Sequence, residues 1–280
     1  MLPRAVIRAA YELACRQEIE ALKPGNVHLF ADGHRMSADQ FLTSAAVSSG
    51  PLTDPSLPVG ARIREAVRAT REAVATNTNL GIILLCAPLA RAAEMAGQNL
   101  RANLQAVLQA MDIDDTASVF EAIVLASPGG LGSASEHDVR AQAEVHLLEA
   151  MREASDRDMI ARQYVTGFAD IFERGVPVLE AALLQGKDGM WPTIHTYLGF
   201  LTTLIDSHVL RKHGDAAAAE LRDEAMEVLA LLDTDGDEAG RIATLKAFDQ
   251  RLKRRNINPG TTADLTVACL LVHSLRARLA

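Results

Sequence analysis

Residues 258–279 read NPGTTADLTVACLLVHSLRARL, a short polar turn followed by a long, mostly apolar run. Pro259 and Gly260 are typical of a turn, and Thr261 with Asp264 matches the capping box of a helix N-terminus. The run then continues to Leu279 without the period-two alternation that a half-buried strand shows. The sequence therefore predicts a helix that begins near Thr261 and ends close to the C-terminus.

The composition extends this prediction to the whole chain. Its 280 residues are 49% hydrophobic but only 4% aromatic, and Ala and Leu dominate. Ala and Leu are strong helix formers, whereas strands favour aromatic and β-branched residues. The chain is also long enough to bury a large core. We expect an all-α fold: a single compact multi-helix bundle over residues 1–280.

Turn and capping signals divide the chain into helices. Lys23-Pro24-Gly25 ends the first helix, and Ser37 with Gln40 forms a capping box before the second. The other predicted helices span residues 60–75, 80–97, 102–111, 116–126, 137–155, 157–174, 176–185, 190–212, 216–232 and 239–254, while the first spans 3–22.

Charge and apolar runs exclude several classes of protein. The chain has 28 Lys and Arg against 36 Asp and Glu, a net charge of −8, so we expect no nucleic-acid partner. The longest apolar run, Leu80 to Ala90, is too short to cross a bilayer. Arg4 and Arg8 interrupt the N-terminus, which therefore does not resemble a signal peptide. We expect a cytoplasmic protein with no membrane partner.

Four polar segments that contain glycine interrupt apolar helices: residues 23–28, 77–81, 127–132 and 258–264. Helix N-termini present free N–H groups and a partial positive charge, and glycine lets a ligand approach the backbone closely. Such loops suit a phosphorylated ligand. Simple capping and turn chemistry is the alternative explanation.

Charged residues form a second group. His208, Arg211 and Lys212 share one helix face near the end of the predicted helix 190–212. The two cations suit a phosphate, and the nearby Asp206 suits magnesium. Alternatively, the cations complement the dipole at a helix C-terminus.

Four motifs in order resemble the triphosphoribosyl-dephospho-CoA synthase family, from about residue 10 to residue 275. They are Lys23-Pro24-Gly25, Asn77-Thr-Asn79-x-Gly81, residues 206–214 and Asn258-Pro-Gly-x-x-Ala-Asp264. The resemblance implies an all-α transferase. It moves the 5-triphosphoribosyl group of ATP to the ribose 2′-hydroxyl of 3′-dephospho-CoA and releases adenine.

The match departs from the family pattern at three places. His28 stands where the family carries Asp, and Leu80 stands where it carries a basic residue. The central motif is replaced by Gly130-Leu-Gly132 with His137 and Asp138. The chain is similar to divergent members in archaea and one-carbon-metabolising bacteria.

The resemblance and the residue types together suggest roles. We expect Lys23, Arg211 and Lys212 to bind phosphate, and Asp206 and Asp264 to bind Mg²⁺ or stabilise an oxocarbenium-like transition state. His208 or His137 would act as the base, since neutral imidazole accepts protons near pH 7. The remaining substrate-binding candidates are Gly25, Asn77, Asn79 and Asn258, of which Asn77 and Asn79 suit the sugar or adenine.

Two other functions remain open at this point. One is phosphoribosyl transfer to a polyol acceptor during synthesis of a tetrahydromethanopterin-type cofactor. The other is a helical nucleotide-binding or regulatory protein without catalysis, which the missing basic residue at Leu80 would suit. The partner in each case is a small nucleotide or phosphoribosyl substrate. A homodimer is a further expectation.

Overall fold

The computed structural model describes residues 1–127, 138–234 and 237–279. Within these ranges the chain forms thirteen α-helices and no strand, apart from two isolated bridges that join His28 to Ala31 and Gly33 to Met36. The predicted all-α class is confirmed.

The helices are arranged in the following order along the chain. Their bounds are α1 Arg4–Glu20, α2 Ala38–Leu52, α3 Val59–Val74, α4 Leu80–Ala93, α5 Leu100–Ala110, α6 Ile113–Ala126, α7 Leu147–Ala154, α8 Met159–Thr166, α9 Val176–Leu184, α10 Trp191–Thr203, α11 Ser207–Thr234, α12 Glu238–Arg254 and α13 Gly260–Leu279. A π-helical turn, Ile171–Gly175, leads into α9.

Helices α4 and α13 form the centre of the core. Helix α13 is buried along most of its length and packs against α1, α4, α9 and α10. The apolar run that begins at Leu80 is α4, whose residues from Ile82 to Ala90 are all buried. A second apolar cluster joins α10, α11 and α12. The packing therefore leaves the N-termini of α4 and α13 beside each other at one end of the core.

Two predicted helices are shorter than the sequence indicates. Residues 138–146 are not helical, and α7 begins only at Leu147, after His146 places its Nδ1 3.0 Å from the carbonyl oxygen of Met111. The predicted helix 157–174 ends at Gly167, which adopts a left-handed φ of 62°. A left-handed glycine is a common helix stop.

The predicted helix 190–212 is also wrong, because α10 ends at Thr203 and a new helix begins at Ser207. Asp206 causes this break: its Oδ1 accepts hydrogen bonds from the amides of His208 and Val209, each at 2.9 Å. Helix α11 is itself kinked at Gly214, which has a φ of 82° and a ψ of 174°. Arg211 and Lys212 therefore lie in the last turn before the kink, where cations complement the dipole of the short first segment.

The predicted capping box of the last helix is not formed. The Thr261 hydroxyl contacts the Ser207 hydroxyl at 3.1 Å, and Asp206 Oδ2 accepts hydrogen bonds from both the amide and the hydroxyl of Thr262 at 2.8 Å. A carboxylate from a distant segment thus caps α13, which leaves the Asp264 side chain available for another role.

Candidate active site

A cleft of about 830 Å³ opens where the starts of α4, α8, α11 and α13 meet the end of α1. Its volume is in the range of small-molecule sites. The four polar segments contribute to its wall through Asn26, Asn77, Ser127 and Asn258, and the charged segment 206–214 contributes through His208. The structure therefore brings together segments that are separated by up to about two hundred residues in the sequence.

Asp264 lies in the wall of this cleft, on the first turns of α13. Gly81 makes room for it, because a β-carbon at that position would collide with Oδ2 of Asp264. Burial raises the pKa of Asp264 well above its ordinary value, and the carboxylates of Glu18, Asp206 and Asp158 add to the shift. Such a group favours an approaching cation or proton.

His208, Arg211 and Lys212 also line the cleft. Burial, with the charges of Lys212 and Arg211, lowers the pKa of His208 to about 3. Its Nε2 is buried and has no hydrogen-bond partner among the described residues. The imidazole is therefore neutral at pH 7, but the lowered pKa also makes it a weak base, which can accept a proton only from a hydroxyl that has become acidic by bonding to a cationic centre. Arg211 donates one hydrogen bond to Asp158 at 2.9 Å, while its Nε is unpartnered within the same part of the chain.

Asp206 does not face the cleft, contrary to the predicted role as a magnesium ligand. It is 2% exposed and accepts four hydrogen bonds, two on each oxygen. A carboxylate with both oxygens occupied in this way cannot also coordinate an ion. Its function in this structure is to join the N-termini of α11 and α13.

Lys23 does not lie in the cleft wall either, so it does not contact a phosphate there. Its ammonium is fully buried, pairs with Glu18 Oε1 at 2.9 Å and donates to the carbonyl of Val27 at 2.6 Å. Glu18, which no sequence motif indicates, lines the cleft instead. Burial raises the pKa of the Glu18 carboxyl, and the Lys23 ammonium opposes that shift.

Two other substrate-binding candidates turn away from the cleft. Gly25 has a φ of +83°, donates its amide to Asp249 Oδ1 at 2.9 Å, and packs so closely that a β-carbon would lie 2.9 Å from Pro259. Asn79 is buried and donates to the Ser48 hydroxyl at 3.3 Å. Both residues stabilise the loops rather than line the wall.

Asn77 and Asn258 do line the cleft. Asn77 Oδ1 accepts from the amide of Leu80 at 3.2 Å, and Asn258 Oδ1 accepts from the Asn26 side chain at 2.9 Å. Both side chains are thus held in place through their amide oxygens. His137 lies outside the described residues.

Further charged residues that belong to none of the four sequence motifs also line the cleft. The cations are Arg35, Arg71 and Arg157, and the acids besides Glu18, Asp158 and Asp264 are Asp138 and Glu153. They come from different loops and helices, with no shared motif, so the sequence offers no signal that they meet.

Two of the departures from the family pattern, at His28 and Leu80, lie in different places relative to the cleft. His28 is 1% exposed and lies 3.4 Å from Asp249 Oδ1, away from the cleft. Leu80, in contrast, lines the cleft, where the family pattern has a basic residue. Of these two departures, only the one at Leu80 changes the chemistry of the wall.

Comparison with known proteins gives a family and several relatives. The sequence profile of CitG, described as ATP:dephospho-CoA triphosphoribosyl transferase, matches residues 4–280. A relative from Pseudomonas syringae pv. tomato, named as a 2-(5''-triphosphoribosyl)-3'-dephosphocoenzyme-A synthase, is 32% identical over 40% of this chain. That match covers only 38% of the relative's length. A relative of the same name from Vibrio cholerae serotype O1 is 24% identical over 98% of this chain and 89% of its own.

A solved structure shares the fold. The crystal structure from Archaeoglobus fulgidus that is named as a triphosphoribosyl-dephospho-CoA synthase has a TM-score of 0.65 at 24% identity. It covers 82% of this chain and 97% of its own. Within the described residues, no helix combines the length and the apolar character needed to cross a membrane.

Proposed function

The chain belongs to the CitG family, and we propose that it transfers the 5-triphosphoribosyl group of ATP to the ribose 2′-hydroxyl of 3′-dephospho-CoA, with release of adenine. One observation carries this proposal. Asp264, the neutral imidazole of His208 and the cations Arg211 and Lys212 all line one cleft of a size that suits nucleotides.

The proposed reaction exchanges one bond at the anomeric carbon. The acceptor oxygen bonds to C1′ of the ATP ribose and the bond from C1′ to N9 breaks. Adenine leaves with the electron pair of that bond and takes a proton from water, which the proton lost by the acceptor hydroxyl replaces. The proton of the acceptor hydroxyl goes to His208, whose lowered pKa keeps its ring neutral and whose Nε2 is unpartnered in the described chain. Positive charge develops on the sugar as adenine departs.

Asp264 would stabilise that positive charge. Its pKa is raised because the carboxylate is buried near other carboxylates. Positive charge beside it favours the ionised form, so Asp264 would interact most strongly with the sugar as its positive charge develops. Arg211 and Lys212 would hold the triphosphate, which remains on the transferred ribose.

Mg²⁺ fits this cleft through Asp264 rather than through Asp206. Among the described residues, no group of three or more His, Cys, Asp or Glu side chains is arranged to hold a metal ion. Mg²⁺ usually takes one or two carboxylates from a protein and completes its shell with substrate phosphates and water. Bound there, Mg²⁺ would neutralise charge on the polyphosphate.

The magnesium requirement can be measured directly. We expect calorimetric titration with ATP to show weak or no binding in EDTA and clear binding with magnesium, because carboxylates repel a bare polyphosphate. Equal affinity in both buffers would show that Asp264 binds no metal with the nucleotide.

The transfer reaction is tested by incubating the protein with ATP and 3′-dephospho-CoA. We expect adenine release by chromatography and a product whose mass equals dephospho-CoA plus the triphosphoribosyl group. His208→Gln serves as the impaired variant. Nucleotide binding without adenine release, in the presence of magnesium and acceptor, would favour the non-catalytic alternative.

The apolar side chain of Leu80 in the cleft wall supports a second candidate acceptor. The family pattern has a basic residue at this place, whereas here an apolar side chain lines the cleft. This favours an acceptor with less negative charge, such as the polyol acceptor of a tetrahydromethanopterin-type cofactor used in one-carbon metabolism. Parallel assays with a phosphoribosyl pyrophosphate donor and a pterin-type polyol would separate this reaction from the first.

A further inference from the structure

A two-residue hairpin turn at the cleft has an uncommon sequence for its shape. The amide of Gly33 donates to the carbonyl of Met36 at 3.2 Å, and the amide of Met36 donates back to Gly33 at 2.9 Å. Between them, His34 and Arg35 have φ angles of 55° and 63°. Two successive left-handed residues define the turn type for which Asn-Gly is strongly preferred. Side chains as large as His and Arg are disfavoured there.

Contacts around His34 hold the turn in this form. Its Nε2 lies 2.7 Å from the carbonyl oxygen of Gly25, and its Nδ1 lies 3.2 Å from Asn256 Oδ1. The turn also packs on Lys253, whose Cε would lie 3.1 Å from a β-carbon at Gly33. The position of the turn is therefore fixed by the loop after α1 and by the end of α12.

Arg35 has no such anchoring contact. It is exposed and lines the cleft, and within the described parts of the chain it makes no ion pair with a carboxylate. His34 and Arg35 both line the cleft, whose wall also carries the cations Arg211 and Lys212.

We propose that Arg35 binds a phosphate group of the substrate and that the left-handed His34–Arg35 turn is maintained because it places this guanidinium at the cleft. This inference rests on the proposed function only for the identity of the ligands that carry the phosphate. Backbone strain held in place by surrounding contacts is common at ligand sites. A guanidinium without a protein partner is well suited to a phosphate.

Two variants separate charge from strain. Arg35→Gln removes the charge and leaves a side chain in the left-handed position, whereas Arg35→Gly removes both. We expect each to weaken phosphate binding by about tenfold or more, the effect of losing a charge-assisted hydrogen bond. Arg35→Gly should melt at the same temperature as the wild type or higher, because glycine adopts a positive φ without steric cost. The matched control is Arg16→Gln, an exposed arginine of α1 outside the cleft.

The phosphate could belong to the donor or to the acceptor, so binding is titrated separately with inorganic tripolyphosphate and with 3′-dephospho-CoA, both with magnesium. Weakening of the first assigns Arg35 to the donor's triphosphate, and weakening of the second assigns it to the acceptor. Adenosine, which has no phosphate, should bind the variants and the wild type equally. In turnover assays the loss should appear in KM more than in kcat.

The inference is overturned if neither titration weakens beyond the Arg16→Gln control, or if Arg35→Gly melts below the wild type. These results are independent of the proposed reaction. Phosphate binding that depends on Arg35 without any adenine release would contradict the transfer reaction alone. Adenine release with binding that is indifferent to Arg35 would contradict this inference alone.

Discussion

The absence of a β-carbon at Gly81 leaves the space that the Asp264 carboxylate occupies in the site. Gly81 is the second residue of α4, where alanine would be the better helix former, yet a β-carbon there would occupy the space of the Asp264 carboxylate. The carboxylate in turn lies in the cleft wall with a raised pKa and no role in capping its own helix. Both residues are therefore explained by the site rather than by helix stability.

Replacing Asp264 with Asn should abolish adenine release and stabilise the ligand-free protein. Because its pKa is raised, the folded state binds the Asp264 proton more tightly than the unfolded chain does. Above the ordinary aspartate pKa of about 4, the wild type therefore loses stability as pH rises through the folded-state value. The Asn variant lacks this loss, so the difference in melting temperature should widen with pH in EDTA. An Asn variant that turns over normally, or that melts lower at every pH, would contradict this role.

Replacing Gly81 with Ala should reduce turnover strongly despite the higher helix propensity of alanine, because the new methyl group displaces the Asp264 carboxylate. Gly50→Ala in α2 is the control, since a β-carbon there has nothing within 4 Å. That control should stabilise the protein by about 0.4–1 kcal/mol and leave turnover unchanged. The two variants are compared by melting temperature and adenine release, and equal activity would show that the Gly81 contact does not matter.

At the scale of the helix, Asp206 shows what local patterns can and cannot predict. The helices that begin at Ala38 and Leu80 were predicted closely, since capping and turn residues lie next to them in the sequence. The break between α10 and α11 was not, because residues 204–206 contain neither Gly nor Pro. That break depends on Asp206, which caps α11 locally and α13 across 56 residues of sequence.

Replacing Asp206 with Asn should destabilise the protein by about 1–3 kcal/mol. An amide has one oxygen, so either the α11 amides or the Thr262 donors would face an NH₂ group and lose their acceptor. The control is Asp237→Asn at the exposed start of α12, where one oxygen accepts the Gly240 amide and Asn is a good cap. Urea unfolding measures the stability of both variants. Losses of stability that are similar in size in the two would contradict the double cap.

On the scale of the whole molecule, the cleft forms because polar segments at helix starts gather at one end of an apolar core. The sequence identified most of these segments from their glycines and polar residues, and the structure brings them together. It did not reveal which side chains face inward. Lys23 and Asp206 are buried behind the wall, whereas Glu18 and Arg35 line it. That difference depends on tertiary packing, because each is one charged residue among many in a chain of net charge −8.

The same architecture predicts how a bound nucleotide acts on the fold. Because the wall is built from the end of α1 and the starts of α4, α8, α11 and α13, one ligand contacts segments from both halves of the chain. A ligand that binds only the folded state at 100 times its Kd adds about 2.7 kcal/mol of stability. We therefore expect ATP with magnesium to raise the melting temperature. Amide hydrogen exchange should slow together in residues 26–36, 77–82, 158–161 and 258–264, while the exposed start of α12 is unchanged. Protection confined to one of these segments would show that the nucleotide binds at a single loop, and the cleft as a whole would then not be its site.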